Sequence, residues 1–169
     1  MAPLIVTTLN TQDCRMGLHK CQVLSFLREG GYSVVFLQET HMDLAGEDSW
    51  ELEGVDRVYF NHLTVCMAGV VTLFFPDLRP EVLEVAEAVL GRLLHLWVHM
   101  EGLVVNIVNV YAPTSGLEQL CFYQQASAFI GTLDPHECLV LGGDFNTTLE
   151  DRTARGPSSA RLPRTSSWR

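Results

Sequence analysis

The chain has 169 residues, which is enough for one domain, and 47% of them are apolar, so a sizeable core can form. Its formal net charge is −9, and all 20 acidic residues lie at or before Asp151. An acidic body is a poor electrostatic match for nucleic acid unless a bound metal ion offsets its charge. The last 18 residues differ, because they carry five arginines and no acidic residue.

The cysteines and the hydropathy of the chain exclude several further classes. The five cysteines form no C-x-x-C pair, which argues against a disulfide framework and against a structural zinc site. Cys66, Cys121 and Cys138 stand in apolar surroundings, and we expect them in the core. There is no signal-peptide pattern and no charge-free run long enough to span a membrane. These features predict an intracellular protein of the nucleus or cytoplasm that is not secreted and has no membrane partner.

The first half of the chain alternates short apolar runs with polar segments. The apolar spacing in Arg15–Arg28 predicts a helix that ends at the two glycines after it, and the polar segment Asp43–Asp56 predicts a loop. Ser33–Leu37 is too short for a helix and suits a buried strand. The predicted strands of this half are Pro3–Leu9, Ser33–Leu37, Val58–Phe60 and Val65–Phe75.

The second half begins with Glu81–Gly91, which is ambiguous between strand and helix. Arg92–Met100 and Leu103–Tyr111 predict two strands joined by a hairpin turn. Leu117–Leu133 predicts an amphipathic helix, and Cys138–Leu141 predicts a buried strand. One side of that helix is formed by Leu117, Leu120, Cys121, Gln124, Ala128 and Phe129. Residues 152–169 are rich in Arg, Ser and Pro, which predicts a disordered tail after a domain spanning residues 1–151.

Polar residues recur where apolar strands end. The clearest case is LVLGGDFN at Leu139–Asn146, in which two glycines allow a tight turn before a carboxylate and an amide. Five residues share this placement: Asn10, Glu39, Tyr111, Asp144 and Asn146. Strand ends that open on one edge of a sheet are common places for sites, and carboxylate and amide oxygens suit Mg²⁺. The alternative interpretation is that each is an ordinary polar residue of a turn.

Five short motifs in one order resemble the exonuclease–endonuclease–phosphatase superfamily, and specifically the endonuclease of LINE-type retrotransposons. They are TLN at Thr8–Asn10, LQETH at Leu37–His41, AGVVTLFF at Ala68–Phe75, VNVYAPT at Val108–Thr114 and GGDFNTTLEDR at Gly142–Arg152. The resemblance covers about residues 4–152. It implies a two-sheet αβ sandwich and a DNA endonuclease that uses Mg²⁺ or Mn²⁺ and no small-molecule cofactor.

The resemblance also implies roles for the five residues. Glu39 would bind the metal, with Asn10, Asp144 and Asn146 as further metal-side residues. Asn10, Tyr111 and Asn146 would contact the phosphate, and Asp144 would orient or activate the attacking water. Asp144, Asn146 and Tyr111 would thus form the catalytic set.

The sequence also departs from the pattern that it resembles. Gln12 and Asp13 stand where the family has a second small or acidic residue and a glycine, so Asp13 occupies a turn position that favours positive φ. No Ser-Asp-His type motif follows Asp151. Of the histidines present, His41 lies beside Glu39, while His95 and His99 would mark the less buried face of a strand rather than a metal pair. None is a good replacement for the family's histidine.

Two hypotheses of different class follow. The first is a Mg²⁺-dependent endonuclease with a C-terminally incomplete catalytic set, a weakly bound metal and weak or no activity. The second is a non-catalytic remnant that acts, if at all, as a nucleic-acid or protein binding module. A phosphatase of the same superfamily is a third option. Because covering strands would be missing, we expect an exposed apolar surface through which the chain self-associates.

Overall fold

A computed structural model describes residues 3–14, 18–42, 47, 57–63, 68–76 and 78–147. These residues form eight strands and two helices that follow the predicted chain order. The strands are β1 (Val6–Asn10), β2 (Val34–Gln38), β3 (Arg57–Asn61), β4 (Val70–Phe74), β5 (Glu81–Val89), β6 (Leu93–Met100), β7 (Leu103–Tyr111) and β8 (Cys138–Asp144). The helices are α1 (Leu18–Glu29) and α2 (Gly116–Ile130).

The strands form two four-stranded sheets. The first sheet has the order β1-β2-β4-β3, and the second has the order β5-β6-β7-β8. Both are mixed, because β1 pairs with β2 in parallel and β7 pairs with β8 in parallel, whereas the other pairs are antiparallel. The two parallel pairs face each other across the interior, since β1 contacts β8 and β2 contacts β7. The predicted two-sheet αβ sandwich is therefore confirmed.

Three apolar clusters lie between four layers of secondary structure, which are the two helices and the two sheets. The central cluster lies between the sheets and joins Phe36 and Phe74 of the first sheet to Leu96 and Ile107 of the second. A second cluster packs α1 against the outer face of the first sheet, and a third packs α2 against the outer face of the second. Neither described helix has the length and apolar character that crossing a bilayer requires.

The predicted elements inside the described residues are present, with shifted ends. The ambiguous segment Glu81–Gly91 is the strand β5, because its backbone pairs with β6 along its whole length through two register shifts. The hairpin turn at Glu101 and Gly102 joins β6 and β7 as predicted. Apart from Glu47, the predicted loop Asp43–Asp56 lies outside the described residues. The predicted tail 152–169 and Cys66 also lie outside them.

The residues predicted to form one side of the second helix are not the residues that pack against the sheet. The buried residues of α2 are Phe122 and Ala126, whereas Leu117 and Leu120 are 76% and 54% exposed. Cys121, Gln124 and Ala128 are exposed as well, and only Phe129 of the predicted side is half-buried. The helix is apolar on more than one side, so periodicity alone could not indicate which side meets the sheet.

Cys138–Leu141 is part of a strand, as predicted, but the prediction that this strand is buried is wrong. Within the described residues β8 pairs with β7 alone, and Leu139 and Leu141 remain 45% and 42% exposed. Cys138 and Cys121, both predicted in the core, are exposed. A short apolar run identifies a strand, but its burial depends on the layers that cover it.

Candidate functional site

The carboxyl ends of β1, β2, β7 and β8 meet at one rim of the sandwich, where two hydrogen bonds join the two sheets. The Asn10 Nδ2 amide at the end of β1 donates to Asp144 Oδ2 at the end of β8, over 2.9 Å. The hydroxyl of Tyr111, at the end of β7, donates to Oε1 of Glu39, the residue directly after β2, over 2.8 Å. Each bond takes one partner from each sheet, so residues up to 134 positions apart in sequence form one cluster.

Asn146, the fifth predicted residue, lies in the loop that follows β8. Its backbone N–H donates to Asp144 Oδ1 over 2.9 Å, and its side-chain Nδ2 donates to the Ala112 carbonyl over 2.6 Å. Its φ of 46° is one that asparagine tolerates better than most residues. The described contacts thus assign the Asn146 side chain to holding this loop, and its contact with a phosphate stays a prediction.

Two residues of α2 support the same loop, and the sequence alone did not identify them. Gln119 Nε2 donates to the Asn146 carbonyl over 2.7 Å, and the Tyr123 hydroxyl donates to the Phe145 carbonyl. Burial and the nearby Asp144 charge raise the pKa of Tyr123. Both residues lie in a helix whose register on the sheet was not predictable, so no sequence signal pointed to them.

The backbone that presents Glu39 adopts unusual conformations. Glu39 and His41 both have φ of 53°, and Gln12 and Asp13 have φ of 53° and 112°. Non-glycine residues in such conformations cost about 1–3 kcal/mol each and persist only where the surroundings hold them. Here Asp13 N donates to the Glu39 carbonyl over 2.9 Å, so the two loops hold each other. The expectation that Asp13 occupies a positive-φ position is confirmed.

The surroundings of Tyr111 raise the pKa of its hydroxyl. Partial burial raises the pKa of Tyr111 to about 12, together with the hydrogen bond to Glu39 and the negative charges of Glu39 and Asp144. Arg92 opposes this rise, since its Cζ lies 5.1 Å from the centroid of the Tyr111 ring. At neutral pH the Tyr111 hydroxyl is therefore a hydrogen-bond donor, which is the form that can contact an anionic oxygen.

The histidines are spread over the molecule. A ring nitrogen of His19 lies 2.9 Å from the Thr11 carbonyl, next to Asn10, so this residue is nearer the rim than its place in a helix indicated. His95 and His99 lie on a strand, as predicted, and they mark its less buried face with Trp97 between them, although His95 itself is 5% exposed. The His95 ring contacts Asn106 Oδ1 over 2.9 Å, on the face of the sheet that meets α2. Among the described residues, no histidine hydrogen-bonds to Glu39 or Asp144.

The donor atoms at the rim match the chemistry of a hard divalent cation. Glu39 and Asp144 provide carboxylate oxygens, and Asn10 provides an amide oxygen. Within the described ranges, no cluster of three or more His, Cys, Asp or Glu residues could hold a metal by itself. Mg²⁺ commonly uses one or two carboxylates and completes its shell with water and phosphate oxygens. The residues therefore fit Mg²⁺ in kind.

Comparisons with known proteins agree with the fold. Residues 7–168 match the sequence profile of the Endonuclease/Exonuclease/phosphatase family. The chain is 52% identical over 154 residues to the transposon TX1 uncharacterized 149 kDa protein of Xenopus laevis, an alignment that covers 91% of this chain and 12% of that protein. The chain thus spans about an eighth of that relative's length.

Solved structures share the architecture at low sequence identity. An AP endonuclease from Archaeoglobus fulgidus superposes with a TM-score of 0.65 at 20% identity, over 83% of this chain and 56% of that one. The endonuclease domain of TRAS1, a telomere-specific non-LTR retrotransposon, superposes with a TM-score of 0.64 at 16% identity, over 86% of this chain and 60% of that domain. These likenesses establish the two-sheet sandwich.

Proposed function

Because the chain belongs to the Endonuclease/Exonuclease/phosphatase family, we propose that its rim is a divalent-metal phosphodiesterase site of the retrotransposon endonuclease type, with DNA as substrate. The observation that carries the proposal is the pair of bonds between the sheets, Asn10 to Asp144 and Tyr111 to Glu39. Two carboxylates and two neutral donors converge on a place where one phosphate could be held.

Each residue has a chemical task in this proposal. Glu39 and Asn10 would hold Mg²⁺ or Mn²⁺, which when bound supplies Lewis-acid stabilisation of charge on a phosphate oxygen. The Tyr111 hydroxyl stays protonated and donates a hydrogen bond to the phosphate. Asp144, an acceptor already oriented by Asn10 and by the Asn146 N–H, orients the attacking water and accepts its proton.

The expected activity is low, because none of the described histidines hydrogen-bonds to these carboxylates. Loss of one positioned donor that stabilises charge typically costs about 10²–10³ in rate. Loss of a general acid–base partner costs about 10²–10⁴, and the two losses need not add. Even one of them would leave hydrolysis barely measurable.

Nicking of supercoiled plasmid DNA in the presence of Mg²⁺ or Mn²⁺ tests the catalytic part of the proposal. We expect the chain to nick no faster than its Asp144→Ala variant. Asp134→Ala, which changes an exposed aspartate in the loop before β8, is the matched control for loss of a negative charge. Robust nicking that disappears in Asp144→Ala but persists in Asp134→Ala would contradict the low activity, and His19 and His41 would then be the first residues to substitute.

Metal titration by calorimetry tests the site itself. We expect weak binding of Mn²⁺ that is lost when Glu39 and Asp144 are both replaced by Ala, because the remaining amides carry no charge. Tight binding that survives the double replacement would refute the assignment of the metal to this rim.

The second candidate is a non-catalytic nucleic-acid or protein binding module. The Arg-rich composition of residues 152–169 favours it, because five positive charges follow an acidic body. Gel-shift titration with duplex DNA, with and without residues 152–169, separates the two candidates. Metal-independent binding that requires this segment would support the binding module over the phosphodiesterase site.

A further inference from the structure

A buried pair of amides links the two sheets directly below the rim. Asn109 of β7 and Gln38 of β2 are 0% and 1% exposed, and Gln38 Nε2 donates to Asn109 Oδ1 over 2.9 Å. Asn109 Nδ2 also reaches across the interior to the carbonyls of Val71 and Leu37, over 2.9 and 3.3 Å. At the outer end, the Thr8 hydroxyl donates to Gln38 Oε1 over 3.1 Å. We call Gln38 and Asn109 the amide pair.

The amide pair lies between the two sheets, beside the apolar cluster that contains Phe36 and Ile107, and Asn109 Nδ2 also lies 3.5 Å from the hydroxyl of the buried Thr72. Apolar side chains of similar shape could fill the same space without the cost of removing two side-chain amides from water. Hydrophobic packing is non-directional, whereas a hydrogen bond fixes both the distance and the orientation of its partners. The specific contribution of the amide pair is therefore the relative placement of the two sheets rather than their attraction.

The residues next to the amide pair are the site residues. Gln38 directly precedes Glu39, and Asn109 lies two positions before Tyr111, so the side chains of Asn109 and Tyr111 emerge on the same face of β7. The Tyr111–Glu39 hydrogen bond is thus the next link between the sheets above the amide pair. Gln38 also accepts hydrogen bonds at its carbonyl from the N–H and hydroxyl of Thr11, which follows Asn10.

We propose that Gln38 and Asn109 are positioning residues of the candidate site. By holding the two sheets in one relative position, they set the distance between Glu39 on the first sheet and Tyr111 and Asp144 on the second. The expected change in metal binding rests on the proposed function. Outer-shell partners of this kind typically change metal affinity by about 10–100-fold when they are replaced.

Asn109→Leu and Asn106→Leu form a matched pair of variants for the test. Asn106 lies on the same strand and is 2% exposed, but its side chain faces α2 and bonds to Glu137 and His95. Both substitutions remove a buried amide, so both should lower the melting temperature. Only Asn109→Leu should weaken Mn²⁺ binding, by about tenfold or more.

The Tyr111–Glu39 hydrogen bond gives a second readout that needs no metal. It is measured as the distance between the Tyr111 hydroxyl oxygen and Glu39 Oε1 in crystal structures of the variants, against 2.8 Å in the unsubstituted chain. In Asn109→Leu we expect this distance to lengthen beyond hydrogen-bonding range, because the two sheets are no longer held by the amide pair. In Asn106→Leu it should stay unchanged. If both readouts are unchanged in Asn109→Leu, the positioning role is refuted.

The double variant Gln38→Leu/Asn109→Leu separates positioning from stability. Replacing both partners of a buried hydrogen bond by apolar groups can be nearly neutral for stability, so the melting temperature should recover relative to Asn109→Leu. Mn²⁺ affinity and the Tyr111–Glu39 distance should not recover with it, and their recovery would contradict the proposal. If Asn109→Leu does not fold, the double variant and Gln38→Met carry the same comparison.

Failure of the positioning role and failure of the proposed function give different results. If the unsubstituted chain binds Mn²⁺ no better than Glu39→Ala/Asp144→Ala, the metal site is wrong. The Tyr111–Glu39 distance in Asn109→Leu then decides the positioning role alone. A lengthening confined to that variant supports it, and no change refutes it.

Discussion

The two strands that present the site carboxylates, β2 and β8, are held in opposite ways. All five residues of β2 are buried, and the strand lies between β1 and β4 in its sheet. No residue of β8 is fully buried, and among the described strands it pairs only with β7. Glu39 follows the first strand and Asp144 ends the second, so one rim joins a core strand to a peripheral one.

The difference shows that the two carboxylates owe their positions to different forces. Glu39 follows a strand that apolar packing holds from both faces, through Phe36 toward the interior and Val35 toward α1. Asp144 is placed by directional contacts, namely its bond from Asn10 and the bond from Ala112 N to its own carbonyl, over 2.9 and 2.8 Å. Apolar core substitutions should therefore destabilise β2 more than β8, and backbone substitutions should be felt at β8.

The largest effect is expected from Phe36→Ala in β2. Phe36 is 1% exposed, and removal of a buried phenyl ring should lower the free energy of unfolding by about 3–5 kcal/mol. Urea denaturation followed by circular dichroism measures the loss. Leu141→Ala in β8 is the matched substitution, and as a surface change it should cost about 0.5 kcal/mol or less. Equal losses in the two strands would remove the proposed difference between them.

A backbone substitution should instead act on β8. Gly143 has φ of 135°, and a Cβ there would lie 2.0 Å from the Val110 carbonyl oxygen. Gly143→Ala should therefore cost about 1–3 kcal/mol from backbone strain alone and disturb the pairing of β8 with β7 next to Asp144. Gly116→Ala is the control, because a Cβ there meets no atom within 4 Å. Unchanged urea denaturation of Gly143→Ala would show that this conformation is not required.

Titration of Tyr111 compares the two carboxylates directly. Its raised pKa means that its contribution to stability is complete below pH 10 and is lost as the pH rises to about 12. Glu39→Gln should lower the pKa of Tyr111 more than Asp144→Asn does, because Glu39 accepts the hydrogen bond and Asp144 acts through its charge. Absorbance titration against Tyr111→Phe measures both shifts. A larger effect from Asp144→Asn would show that the Tyr111 hydroxyl interacts mainly with Asp144 instead.

The smallest effect on stability is expected at the exposed face of β8. Leu139 and Leu141 are apolar and 45% and 42% exposed, so the chain should self-associate or bind hydrophobic dyes through them. Leu139→Lys/Leu141→Lys should reduce both, as sedimentation and dye fluorescence can measure, with little change in unfolding free energy. Leu117→Lys/Leu120→Lys on α2 is the control, and an equal reduction there would assign self-association to the helix instead.

The sequence alone determined the elements and the candidate residues of the rim. Strands such as β2 and β7 were predictable because a short run of β-branched and apolar residues favours extended backbone whatever surrounds it. Asn10, Glu39, Tyr111 and Asp144 were predictable because each stands at a strand end, in a short motif that is read locally. Their order along the chain carried the resemblance, which the family profile confirmed.

Only the tertiary structure decided which surfaces meet. The buried side of α2, the exposure of β8 and the crossing of Asn109 to the opposite sheet all depend on neighbours that are remote in sequence. A leucine has the same local preference whether another layer covers it or not, and an asparagine in a strand does not indicate which carbonyl it will reach. Burial and hydrogen-bond partners are properties of the packed layers, so they became known only when the two sheets were placed face to face.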